Sequence, residues 1–223
     1  MAISLGANLP FFVAEISANH LGNLERAHHL IEAAAGANAN AVKFQTYTAE
    51  TMTLNLDSLG VSENHALWGG KKLFDLYQEA HTPWEWHSEL FSHALSLGLI
   101  PFSSPFDSSA VEFLEKLNCP IYKIASFEIT DIPLIEYVAS KMKPVIISTG
   151  IAEIEDIELA LDACRRMGND NIALLKCTSS YPAPINEANM CMVEDLAERF
   201  NVISGLSDHT IGSTVPIVAT VFG

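Results

Sequence analysis

The chain is 223 residues long, 49% hydrophobic and 17% charged, which supplies a sizeable core and excludes a disordered polymer. Twelve Lys and Arg against 27 Asp and Glu give a formal net charge of -15, and no basic run offsets it, so nucleic acid and anionic membrane are excluded as partners. Twelve Gly and four Cys exclude collagen-like and disulfide-scaffold classes.

The opening residues, 1–16, lack the basic segment followed by an apolar one that marks a secretory leader. No stretch approaches the ~18 uninterrupted apolar residues of a membrane span. Cys119, Cys164, Cys177 and Cys191 form no CxxC pair. Reduced thiols and a soluble, cytoplasmic protein are expected.

The first apolar run, residues 11–16, leads to Asn23 as the N-cap of a helix over 24–37. A run at 41–45 opens the stretch 46–82, too long for a simple βα turn, with a polar loop and a short helix over 71–80. Thr82 then caps a helix over 83–97, with Pro83 at its first position. Next come runs at 99–103, 121–126, 144–149, 172–178 and 202–206, alternating with helices over 111–117, 133–141, 153–167, 190–200 and 213–222. Gly168 stops the helix that ends at Met167.

The apolar runs are rich in β-branched and aromatic side chains and lack polar alternation, as strands buried on both faces of a parallel sheet do. Repeated βα units without a composition break, and without a GxGxxG after any strand, predict one domain over 1–223. The fold class expected is α/β, a (β/α)8 TIM barrel. Seven βα units are countable, so the eighth strand is expected to be missing at the C-terminal end.

In such a barrel the chemistry sits where strands end. Three of the eight lysines, Lys43, Lys123 and Lys176, lie inside apolar runs, and a buried ammonium needs an anionic partner or an anionic ligand. Two readings fit: internal ion pairs with Glu15 or Asp208, or a phosphate or carboxylate site shared with Ser and Thr hydroxyls. Glu15, the one acid inside an apolar run, is either a structural partner of Lys43 or a general acid/base. His209, in Ser207-Asp208-His209-Thr210, is placed where a metal ligand can sit, and His20 is ambiguous. His28, His29, His81 and His87 read as surface or helix-face residues. Trp68, Trp84 and Trp86 read as packing and loop-anchoring residues.

The motifs Ala14-Glu15-Ile16-Ser17-Ala18-Asn19-His20, Val42-Lys43-Phe44-Gln45-Thr46-Tyr47 and Phe102-Ser103-Ser104-Pro105-Phe106 resemble those of the sialic acid synthases. So do Tyr122-Lys123-Ile124-Ala125-Ser126, Ser148-Thr149-Gly150, Leu175-Lys176-Cys177-Thr178-Ser179-Ser180-Tyr181-Pro182 and Gly205-Leu206-Ser207-Asp208-His209-Thr210. They run in order through nearly the whole chain. Ser17-Ala18-Asn19-His20, the Leu67-Trp68 loop and Thr82-Pro83-Trp84-Glu85-Trp86-His87 resemble the pseudaminate branch most.

The resemblance implies condensation of phosphoenolpyruvate with an N-acetylated amino sugar, here a 2,4-diacetamido-2,4,6-trideoxy-hexose, giving a nine-carbon 2-keto acid and phosphate. It implies Lys43, Lys123, Ser126, Ser148 and Ser207 as the phosphoenolpyruvate cradle. Gln45, Ser179 and Tyr181 line the site, and Glu15 moves protons. His209 is implied as one of two metal histidines, with Mn2+ the expected ion and Mg2+ or Co2+ its alternatives. The second histidine, and an antifreeze-like domain that pairs full-length chains as homodimers, are expected beyond residue 223. This chain alone is therefore expected to be poorly active. The family pattern has Asn where this chain has Ser179. N-acetylneuraminate or legionaminate synthesis, and an inactive barrel that binds an anion or a partner, are the alternative functions.

Overall fold

All seven apolar runs are strands in a computed structural model of the protein, which describes residues 10–63 and 69–222. The readings made for residues 1–9, for Leu67 and Trp68 and for anything past Phe222 lie outside the described residues. The chain forms two compact units, Phe12–Cys119 and the stretch that begins at Pro120.

In the first unit β1 (Val13–Glu15), β2 (Ala41–Thr46) and β3 (Ile100–Pro105) pair in parallel, β1 with β2 and β2 with β3. Helix α1 (Leu24–Gly36) starts at the expected cap, where Asn23 Oδ1 accepts the Arg26 N–H at 2.8 Å. It buries Ala27, Ile31 and Ala34, one stripe at helical spacing. The stretch after β2 holds the short α2 (Ala49–Met52) and α3 (Leu73–Ala80). Helix α3 begins two residues later than expected because Lys72 makes an antiparallel bridge with Gly60.

Thr82 does not cap the next helix. Its hydroxyl is bonded to His20 instead, and a 3-10 turn over Trp84–Trp86 precedes α4 (His87–Ser96). Helix α5 (Ser108–Lys116) starts three residues before the expected 111, because Asp107 Oδ1 takes the N–H groups of Ser109 and Ala110. The core of the unit lies between strands and helices. Phe44 of β2, fully buried, stacks on Phe91 of α4 with ring centroids 5.6 Å apart.

In the second unit β4 (Tyr122–Ile124), β5 (Val145–Ser148), β6 (Ile172–Cys177) and β7 (Ile203–Ser207) are parallel neighbours in chain order. Helices α6 (Ile132–Ala139), α7 (Ile154–Arg166), α8 (Cys191–Phe200) and α9 (Thr214–Phe222) follow them in turn. Gly168, at φ +80°, ends α7 as expected; a Cβ there would strain the left-handed backbone. Buried Asn169 ties this end down, giving Nδ2–H to the carbonyls of Ala139 and Lys143 and accepting the Asn171 N–H.

Seven consecutive βα units with parallel strands make this an α/β fold of the TIM-barrel type, as the run spacing predicts. Among the described residues no helix is long and apolar enough to cross a membrane. The four cysteines are free thiols.

Candidate active site

Side chains alternate faces along a strand, and residues paired across parallel strands share a face. In the first unit the register Glu15–Lys43, Lys43–Phe102 and Gln45–Ser104 therefore puts Glu15, Lys43, Gln45 and Ser104 on one face at the C-terminal ends of β1, β2 and β3. Glu15 and Lys43 form an ion pair there, with the lysine side chain 14% exposed and the carboxylate 39%. Ser104, 1% exposed, keeps a buried Oγ without a protein hydrogen-bond partner. The sequence carries Ser104 inside a motif but gives it no role; an unsatisfied buried hydroxyl on the face of Glu15 and Gln45 identifies it as a residue with bonding capacity in reserve.

The opposite face carries Phe44, Thr46 and Ser103, which meet α4. Of the two readings for His87, surface or helix face, the second holds: it is fully buried on the inner face of α4. Its Nδ1–H donates to the Pro83 carbonyl at 3.2 Å, so Nε2 accepts from the Thr46 hydroxyl at 2.9 Å, and Ser103 completes the chain at 2.7 Å from Thr46 Oγ1. Burial pulls its pKa down to about 4 against the bond to Pro83, so the ring is neutral.

His20, also fully buried, holds the other tautomer. Its Nδ1 accepts the Gly22 N–H at 3.0 Å, leaving Nε2–H for Thr82 Oγ1 at 3.1 Å. Burial, and then His81, hold its pKa below the usual value. The segment 82–87 is thus pinned at both ends by neutral imidazoles. Trp84 adds an indole N–H to the Tyr47 carbonyl at 3.1 Å and packs on Phe113, and Trp86 meets His20 edge-on. Both tryptophans are packing residues.

In the second unit the register Lys123–Ile146, Ser148–Leu175–Gly205 and Cys177–Ser207 puts Lys123, Ser148, Cys177 and Ser207 on one face. Lys123 is 4% exposed; its Nζ donates to Ser148 Oγ at 2.6 Å and to the Ile124 carbonyl at 2.7 Å. Lys176 falls one residue out of phase. It points to the opposite face and spends its protons on the Cys177 carbonyl and Thr178 Oγ1, and burial lowers its pKa. Lys176 therefore does not share the face of Lys123; it belongs to the helix side.

Past the strand ends, Ser126 Oγ accepts the Gly150 N–H at 3.1 Å, and Ser179 Oγ lies 3.9 Å from Cys177 Sγ. The Cys177 thiol is the hub. Burial pushes its pKa up, but hydrogen bonds from His209 and Ser126, the charge of His209 and a bond from Ser179 bring it down to about 7. Tyr181, half exposed, packs its ring 4.3 Å from that of His209. Asp208 is turned back on its own loop, accepting from the N–H and hydroxyl of Thr210.

Glu128, which no sequence signal singles out, closes the 3-10 turn that begins at Ser126. Burial raises its pKa, Lys123 opposes the rise, and Oε2 is buried without a hydrogen-bond partner. A carboxyl so placed holds its proton more readily than an exposed one.

Among the described residues no three His, Cys, Asp or Glu side chains are disposed to hold a metal ion.

The chain is similar to known proteins over nearly its whole length. It is 50% identical over 214 residues, 96% of this chain, to the pseudaminic acid synthase of Helicobacter pylori, and spans 63% of that protein. It is 36% identical over 218 residues to the N,N'-diacetyllegionaminic acid synthase of Legionella pneumophila, of which it spans 61%. The chain thus spans less than two thirds of the length of these relatives. In three dimensions it matches the N-acetylneuraminic acid (sialic acid) synthetase of Leptospira borgpetersenii, solved in complex with citrate. That match has a TM-score of 0.87 and 30% identity, covering all of this chain and 75% of that one. The NeuB family model matches residues 30–223, and the chain belongs to the NeuB family.

Proposed function

We propose that this chain is the catalytic barrel of a pseudaminic acid synthase. It condenses phosphoenolpyruvate with a 2,4-diacetamido-2,4,6-trideoxy-hexose and releases phosphate. The observation that carries the reading is the buried Lys123 ammonium held 2.6 Å from Ser148 Oγ at the ends of adjacent strands, in a chain half identical to a protein of that activity. A cation and hydroxyls at parallel-strand ends bind an anion through a local field that the acidic surface does not cancel.

Lys123, Ser126, Ser148 and Ser207 bind phosphoenolpyruvate, and Lys43 belongs to the same function. Carbon 3 of phosphoenolpyruvate attacks the sugar aldehyde, forming the new carbon–carbon bond and leaving a cationic centre at carbon 2. Water adds at carbon 2 and loses a proton, and the tetrahedral intermediate expels phosphate by breaking its carbon–oxygen bond. Glu15 takes and returns protons around that water; its ion pair with Lys43 holds it oriented. Gln45 and Tyr181 line the site toward the sugar, and Ser179 lines it toward phosphoenolpyruvate. Pairing of full-length chains as homodimers belongs to the same proposal.

The test is phosphate release by the protein expressed from the complete reading frame that encodes this chain. With phosphoenolpyruvate, the 2,4-diacetamido-2,4,6-trideoxy-hexose is expected to turn over and N-acetylmannosamine is not. Preference for N-acetylmannosamine overturns the sugar assignment, and no release with any N-acetylated hexose overturns the synthase.

A further inference from the structure

Gly150 follows β5 at the point where three side chains of the second unit meet. A Cβ built on it would stand 2.3 Å from Ser179 Oγ, 2.9 Å from Ser126 Oγ and 3.1 Å from Cys177 Sγ. Its φ is not among the positive values of the chain, so the backbone here suits any residue and glycine is needed for space alone. Nor can this backbone retreat. Thr149 fixes it through both N–H and Oγ1 to the Leu175 carbonyl, at 3.0 and 3.1 Å, and the Gly150 N–H is bonded to Ser126 Oγ. What must yield to a side chain at 150 is therefore the short polar groups, Ser179 first and Ser126 next. Both can rotate without disturbing the core.

We propose that Gly150 is a positioning residue of the anion site: the absence of its side chain lets the Ser126 and Ser179 hydroxyls close on one point, and a methyl group there turns them away from phosphoenolpyruvate. The inference rests on the synthase reading. It deepens that reading by assigning phosphoenolpyruvate affinity, rather than fold, to a residue that touches neither substrate. The nearest obstruction also predicts the repair, since removing the Ser179 side chain frees most of the space that an alanine at 150 needs.

The experiment compares the unsubstituted protein from the complete reading frame with Gly150→Ala, Ser179→Gly and the double variant. It uses calorimetric titration with phosphoenolpyruvate, steady-state phosphate release and thermal unfolding. Gly150→Ala is expected to raise the Kd and KM for phosphoenolpyruvate about tenfold or more, because a misplacement of a few tenths of an ångström at a hydrogen-bonding site weakens every bond made there. The KM for the sugar and the Tm stay where they were. The double variant recovers affinity relative to Gly150→Ala, which a general loss of stability does not produce. Unchanged phosphoenolpyruvate affinity in Gly150→Ala overturns the inference alone. So does a Tm that falls in step with affinity and is not restored in the double variant. If Gly150→Ala does not fold, the glycine serves the fold rather than phosphoenolpyruvate affinity, and the inference is overturned. Failure of the unsubstituted protein to bind phosphoenolpyruvate sinks the synthase reading and this inference with it.

Discussion

The two units place a lysine on the site face of a short parallel strand and treat its charge in opposite ways. In Phe12–Cys119, Lys43 meets a carboxylate, Glu15, on the neighbouring strand, and the charge is balanced within the protein. In the stretch from Pro120, Lys123 donates to a hydroxyl and a carbonyl, and the nearby Glu128 carboxyl is pushed toward its neutral form by burial. Lys123 is a desolvated, oriented cation, whereas an anion arriving at Lys43 competes with Glu15. In the proposed synthase this difference would give anion binding chiefly to the second unit and proton management to the first.

Two substitutions put that division at risk. Lys123→Met is expected to lower kcat/KM for phosphoenolpyruvate by about 10³-fold, roughly 4 kcal/mol, in phosphate-release kinetics. Glu15→Gln is expected to cost about 10²-fold, mostly in kcat, with phosphoenolpyruvate binding retained. If Glu15→Gln abolishes binding and Lys123→Met spares it, the roles of the units are reversed.

A second contrast concerns acid. The first unit is fastened by buried neutral histidines and the second is not. His87 has a folded pKa of about 4 against an ordinary 6.5, so the unfolded chain takes up its proton first as pH falls. Its contribution is complete above pH 6.5 and is lost between 6.5 and 4, about 3 kcal/mol in all, with His20 acting in the same direction. Urea unfolding at pH 7 and at pH 4.5 is expected to show that loss, and His87→Gln to show a flatter dependence. Equal slopes for the two proteins would remove His87 as the cause.

The smallest effect sharpens the comparison at an exposed position. Asn23→Ala removes the side-chain acceptor of the Arg26 N–H at the start of α1 and is expected to destabilise by about 1 kcal/mol without changing turnover. A fall in kcat would tie the cap to the site.

The strands were legible because each is a short, continuous apolar run, and the start of α1 and the end of α7 because Asn23 and Gly168 act through their own local backbone. Register was not legible. That Lys123 and Ser148 share a face follows from pairings across strands, and Lys176 looks equivalent to Lys123 until Cys177 and Ser207 are seen opposite each other. The burial of His87 was not legible because its partner Thr46 lies 41 positions away in the chain. Ser104 and Glu128 escaped for a related reason. What marks them is a missing partner and a desolvated carboxyl, properties of a surrounding that no residue carries by itself.

The alternation in β6 has a consequence for how this protein can change over generations. Cys177 and Lys176 occupy opposite sides of one strand, so deleting or inserting a single residue upstream within it would exchange a weakly acidic thiol for an ammonium at the mouth of the site and press the thiol against the helices. Point substitution can tune β6, but single-residue gains and losses are closed to it. Variation in length must be absorbed elsewhere, and the stretch 46–82, joined to the strands at its ends, is free to take it.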